Sequence, residues 1–122
     1  MASIYDLLGE AKIRKLTKLF YQGIEEDELI RPMYPQDMGP AEERLALFLI
    51  QVFGGPTTYS DQKGHPRLRM RHFPYAINLD ARQRWMKHML AAMDQIEMQE
   101  VARAYMLDYF EKASLHMINR QG

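Results

Sequence analysis

Apolar residues in this chain recur every three or four positions and nowhere alternate, while prolines and glycines fall between the recurrences. That periodicity predicts helices with one buried face and rules against strands. Ile13, Leu16, Leu19, Phe20 and Ile24 predict a helix over about residues 10 to 25. Leu45, Phe48, Leu49 and Val52 form a second stripe, opened by Pro40 where a first turn tolerates proline, with Glu42 and Glu43 at the positive end of the dipole. Trp85, Met86, Met89, Leu90 and Met93 make a third stripe, capped by Asn78 or Asp80. After a break near Ile96, Ala102, Met106, Tyr109, Phe110, Ala113 and Met117 make a fourth. The expected fold is all-α.

The punctuation between the stripes supplies the connections. Ser3 and Asp6 read as a capping box on a short first helix that Gly9 ends or interrupts. Asp27 caps a short turn, and Pro32 and Pro35 bracket Met33 and Tyr34, which forbids a long helix there and makes Tyr34 a rigid corner. Gly54-Gly55-Pro56 stops the second stripe, and residues 57 to 63 are polar enough to be expected as a surface loop. A chain of 122 residues fits a single domain, 1–122, without staples. Its 16 basic and 16 acidic residues give no call for nucleic acid or an acidic membrane surface. With no cysteine, disulfides, thiolate catalysis and iron–sulfur clusters are excluded, and a metal would fall to histidine or carboxylate. No basic region followed by an apolar run opens the chain and no segment approaches a membrane span, so a cytoplasmic location is expected. The ten methionines read as fillers of a helical core.

The chemistry concentrates in Gly64-His65-Pro66-Arg67-Leu68-Arg69-Met70-Arg71-His72-Phe73-Pro74-Tyr75. If the part after Pro66 is helical, Leu68 and His72 share a face and Arg69 and Arg71 lie on its flanks. Haem asks for this combination: a neutral imidazole for iron, apolar walls for the macrocycle, and cations or phenols for the propionates. On spacing alone, a solvated histidine among arginines is the commoner reading. His65 precedes proline and suits a cap or a propionate better than iron. His88 fits either a place beside the pocket or the polar face of its helix, and His116 suits a helix C-terminus. Tyr21, Tyr34 and Trp85 are donors that an apolar distal cavity would need, although each alone reads as a core aromatic.

Taken together, Phe20-Tyr21, Met33-Tyr34-Pro35, Ala41-Glu42-Glu43-Arg44-Leu45, Phe53-Gly54-Gly55-Pro56 with Tyr59, Gly64-His65-Pro66 through His72-Phe73-Pro74, and Trp85 resemble the landmarks of the group II truncated haemoglobins in order and spacing. The resemblance runs from about Tyr5 to Asn119. It implies a truncated globin, a two-over-two helical sandwich holding one haem b (iron protoporphyrin IX) without a covalent bond. It makes His72 the proximal iron ligand and lines the distal pocket with Tyr21, Tyr34, Trp85, Ala41 and Leu45. Ala41 stands where longer globins place a distal histidine, so no polar gate is expected there. Tyr59, His65 and one or more of Arg44, Arg69 and Arg71 would meet the propionates, with Leu68, Phe48 and Met89 as further haem contacts. Tyr34 occupies a position that is often phenylalanine in the family, which leaves open which donor dominates.

The function so implied is binding of dioxygen, or of nitric oxide, carbon monoxide or sulfide, at a five-coordinate iron with high affinity and slow release. A donor aimed at a ligand that gains negative charge makes a bond worth roughly 1.5 to 3 kcal/mol, which slows escape roughly ten- to a hundred-fold. The second reading is a peroxidase-like or nitric-oxide-dioxygenating enzyme served by a separate reductase. A haem-free helical interaction module with a basic patch is the third. No nucleic acid or membrane partner is expected, and the chain is read as a monomer or homodimer.

Overall fold

A reciprocal cap starts the folded path. In the computed structural model, which describes residues 2–72 and 75–120 but only the backbone of Leu68 and Arg69, Ser3 Oγ accepts from the Asp6 amide at 3.0 Å and Asp6 Oδ2 accepts from the Ser3 amide at 3.0 Å. This capping box opens α1 (Ile4–Leu8). Gly9 takes φ 84 and swings the chain into α2 (Glu10–Glu25), the span the periodicity predicts. Ile13, Leu16, Phe20 and Ile24 point inward from α2 and are fully buried. A one-turn 3-10 helix over Arg31–Met33 follows, and Tyr34 is extended because Pro35 disfavours a helical residue before it.

Pro40 sits in the first turn of α3 (Gly39–Val52). The glycines after α3 are a seam with α1. A Cβ on Gly54 would lie 2.5 Å from Ser3 Cβ and one on Gly55 2.7 Å from Tyr5 Cδ1, and the Phe53 carbonyl accepts from the Tyr5 amide at 2.8 Å. Residues 57 to 63 depart from expectation, since Thr58–Lys63 form a short helix, α4, rather than a loop. Six residues hold one inward position and so show no period. That position is Tyr59, buried edge-on to Phe48 with ring centroids 5.5 Å apart, while Gln51 and Ser60 exchange two hydrogen bonds of 2.8 and 3.0 Å.

The segment after Pro66 is indeed helical: α5 spans Leu68–His72. Of the two cap candidates before α6 (Leu79–Asp94), Asn78 caps, its Oδ1 accepting from the Ala81 amide at 2.9 Å, and Asp80 falls in the first turn. The last helix, α7 (Glu100–His116), buries Ala102, Met106 and Phe110. Among the described residues there are seven α-helices and no strand, and no helix is long and apolar enough to cross a membrane.

Helix α2 packs on α3, α6 on α7, and α2 lies against α6, giving two helices over two. Met86, Met89, Met93 and Met106 are buried in the centre, as flexible fillers of the space between crossing helices. Through this core runs a continuous file of edge-to-face rings. Tyr34 meets Tyr21, Tyr21 meets Phe20, Phe20 meets Trp85, Trp85 meets Phe110, and Phe110 meets both Phe53 and Tyr109, with centroid separations between 5.2 and 5.9 Å. Among the described residues α5 takes part in none of the extensive helix pairings. The helix carrying His72 therefore stands apart from the packed core.

Candidate functional site

Three elements deliver the polar aromatics to one place. Tyr21 comes from the last turns of α2, Tyr34 from the proline corner, and Trp85 from the second turn of α6. The rings of Tyr21 and Tyr34 are 5.6 Å apart at 87°, and the Trp85 side chain lies close enough to the Tyr34 hydroxyl to act on it as a donor. An indole nitrogen only donates, so the phenol oxygen accepts and its own hydrogen stays available. Burial pushes the Tyr34 phenol well above its ordinary pKa and Tyr21 adds to the rise, with the Trp85 bond acting the other way. Burial likewise pushes Tyr21 up to about 12, opposed by the charge of Arg44 and aided by that of Glu42. Both phenols are thus neutral hydrogen-bond donors at any physiological pH. In the first turns of α3, Ala41 is buried and Leu45 half-buried.

The tyrosine corner is fastened from outside. Arg31 donates to the carbonyls of Tyr34, Pro35 and Gln36 at 3.3, 3.0 and 3.0 Å. It also pairs with Glu25 at 3.2 Å.

On the other side, His72 ends α5 with its side chain half-buried. Its carbonyl accepts from the Tyr75 amide at 3.0 Å and from Asn119 Nδ2 at 3.3 Å. Asn119 also donates to the Tyr75 carbonyl at 2.9 Å and accepts from the Ile77 amide at 2.9 Å, while its own amide donates to the Ile77 carbonyl at 2.9 Å. Ahead of the helix, Arg71 donates to the carbonyls of Pro66 and Lys63 at 2.7 and 3.0 Å. The structure therefore gives Arg71 a task in shaping the loop, beside the expected one at a propionate. His65 and Arg44 are exposed, Tyr59 is buried against Phe48, and Met89 lies fully buried in the core. The side chains of Leu68 and Arg69, and all of Phe73 and Pro74, lie outside the described residues.

Behind the distal aromatics is a cluster that local sequence pattern does not reveal. The Asp27 carboxylate, 1% exposed, meets His88 Nε2 at 2.5 Å and Arg84 Nη1 at 3.7 Å. It also accepts from the amides of Leu29 at 2.9 Å and Ile30 at 3.4 Å. Gly23 makes room for it, since a Cβ there would fall 2.6 Å from His88 Nδ1. Asp27 and Asn119 both have partners that lie too far along the chain to be inferred from spacing.

A half-buried imidazole on a helix held off the core, apolar faces on α3 and α6, and neutral donors opposite suit a flat, apolar, iron-bearing ligand that needs one nitrogen. Among the described residues no three His, Asp or Glu side chains converge as a metal cage would require. The sequence family described as bacterial-like globin matches residues 3–119. The chain belongs to this family. This globin is 31% identical over 116 residues to the group 2 truncated hemoglobin YjbI of Bacillus subtilis (strain 168), covering 95% of this chain and 88% of that one. It is similar to the solved hemoglobin of Chloroflexus aurantiacus, with a TM-score of 0.96 and 45% identity over 98% of this chain and 100% of that one. It is also similar to the truncated oxygen-avid haemoglobin of Bacillus subtilis, with a TM-score of 0.93 and 30% identity over 97% of this chain and 100% of that one. It is a group II truncated haemoglobin with the two-over-two fold, and its family implies haem-based ligand binding.

Proposed function

We propose that this globin holds haem b between α5 on one side and α3 and α6 on the other, and binds dioxygen with high affinity and slow release. His72 would be the iron ligand in this reading. Nitric oxide, carbon monoxide and sulfide are competing ligands. Phe48, Leu45, Leu68 and Met89 supply apolar walls or backing, and Tyr59, His65 and the arginines 44, 69 and 71 supply the rim. Bound haem contributes the iron at which a small ligand is held.

The observation that carries the reading is the convergence of Tyr21, Tyr34 and Trp85, with the two phenol rings 5.6 Å apart and edge-on. A Trp85 N–H directed at the Tyr34 oxygen polarises the phenol in this reading and strengthens the bond that Tyr34 donates in turn. Tyr34 would donate to the ligand, with Trp85 supporting it. With the phenols neutral, the pocket offers donors and no carboxylate to repel a ligand that gains negative charge. Ala41 adds no competing polar group. The description of the Bacillus subtilis relative as oxygen-avid supports slow release.

The purified protein should show a strong haem absorption band, and its oxygen off-rate should rise roughly ten- to a hundred-fold in Tyr34→Phe, the loss of one charge-assisted hydrogen bond. Trp85→Phe should give a smaller rise. A colourless protein, or unaltered haem uptake and ferrous spectrum in His72→Ala, would defeat the haem assignment. Unchanged off-rates in both aromatic variants would defeat the proposed donor role.

A further inference from the structure

We propose that Asp27 and His88 are positioning residues for the distal pair, fixing the distance between Tyr34 and Trp85 through a closed circuit of four residues. The proposal rests on the reading of Tyr34 and Trp85 as ligand donors.

The circuit has two sides made of backbone and two made of side-chain contacts. On α6, Trp85 and His88 are three residues apart, so they lie on neighbouring parts of one helix face. On the corner segment, the Asp27 carbonyl accepts from the Arg31 amide at 2.8 Å, and Arg31 in turn clasps the carbonyl of Tyr34. The carboxylate of Asp27 also holds the amides of Leu29 and Ile30, which stiffens the whole stretch between Asp27 and Tyr34. Across the gap between the two segments, Asp27 meets His88 and, at 3.7 Å, Arg84, and Trp85 stands beside the Tyr34 hydroxyl. Releasing His88 leaves the longer Arg84 pair and the approach of Trp85 to Tyr34 to hold that end.

Two features show the first contact is built to a distance. Gly23 faces His88 so closely that a Cβ would come within 2.6 Å of Nδ1, 3.2 Å of Cγ and 3.4 Å of the His88 Cβ. An added methyl group therefore meets the root of the ring as well as its edge, and must displace the imidazole or the helix. Asp27 is also buried where water cannot substitute for a lost partner, so its geometry is strongly enforced. A clamp that only joined α2 to α6 would serve as well with apolar packing, which costs no desolvation. A directional, hydrogen-bonded contact instead fixes the rotation and height of α6 against the corner, and Trp85 moves with it.

The test uses the single tryptophan of the chain. In the diamagnetic carbon monoxide complex of the ferrous protein, its indole N–H gives one proton–nitrogen resonance that reports its placement beside Tyr34. In His88→Leu this resonance should shift, its exchange with water should accelerate, and the oxygen off-rate should rise roughly ten-fold, one lost hydrogen bond's worth. His88→Gln, which keeps a nitrogen donor toward Asp27, should restore both readouts toward wild type. Gly23→Ala, which leaves every charge in place, should move both in the same direction as His88→Leu. If His88→Leu fails to fold, the comparison of Gly23→Ala with His88→Gln decides. A folded variant with lower thermal stability but an unmoved indole resonance and off-rate overturns the proposal and leaves Asp27–His88 as a fold clamp. If the wild type carries no haem, the function proposed above fails separately, and the indole resonance of the haem-free protein still reads the circuit.

Discussion

Asp27 carries a charge in almost complete isolation from water. Burial pushes its carboxyl upward, but His88, the amides of Leu29 and Ile30 and the charge of Arg84 outweigh burial and hold it below the ordinary carboxylate range. A depressed carboxyl contributes stability that is present above its unfolded pKa, near 3.8, and is lost as pH falls through the lower folded value. Urea unfolding followed from pH 7 to pH 2 should therefore show the difference between wild type and Asp27→Asn shrinking below about pH 4. At neutral pH the variant should be less stable by about 1 to 3 kcal/mol. A difference independent of pH would mean that Asp27 is not ionised in the native protein. The sequence identifies Asp27 as the cap of a short turn, and it does hold the amides of Leu29 and Ile30. Its second role escaped notice because His88 lies 61 positions away. Tyr21, Tyr34 and Trp85 stand at family spacings in the sequence, and the structure brings these three together.

At the scale of elements, α5 is the least self-sufficient. Five residues make little more than one turn, far short of the length at which an isolated helix persists in water. Its carboxyl end is held by Asn119, whose side chain bonds the backbone of His72, Tyr75 and Ile77 at once. Asn119→Ala should remove about 1 to 3 kcal/mol from the local anchoring of α5. The expected outcome is faster transfer of haem to an acceptor apoglobin, with a smaller change in the global melting temperature. Equal transfer rates would show α5 to be held by other contacts. Long helices such as α2 were legible to the residue, because four turns of period leave little freedom. Short α4 was not, since its order comes from Tyr59 against Phe48 and from Gln51 with Ser60, contacts made outside the segment. The Asn119 tie was invisible for the same reason, lying 47 positions from His72.

Across the whole molecule, the two-over-two arrangement was legible through the resemblance of spaced motifs, while periodicity by itself gave only an all-helical chain. What periodicity cannot give is which faces meet. The file of rings does that here, since each edge-to-face contact adds about 0.5 to 1.5 kcal/mol and several of them join different helices. Trp85 stands in the middle of that file, touching Phe20 on one side and Phe110 on the other. Being the one tryptophan in the chain, it makes the protein its own optical gauge. Emission from the indole should be quenched by energy transfer when haem occupies the proposed pocket and recover as haem departs, so titrating haem into the haem-free chain should trace a single quenching curve that saturates at one equivalent. Emission indifferent to haem would place any bound cofactor far from Trp85.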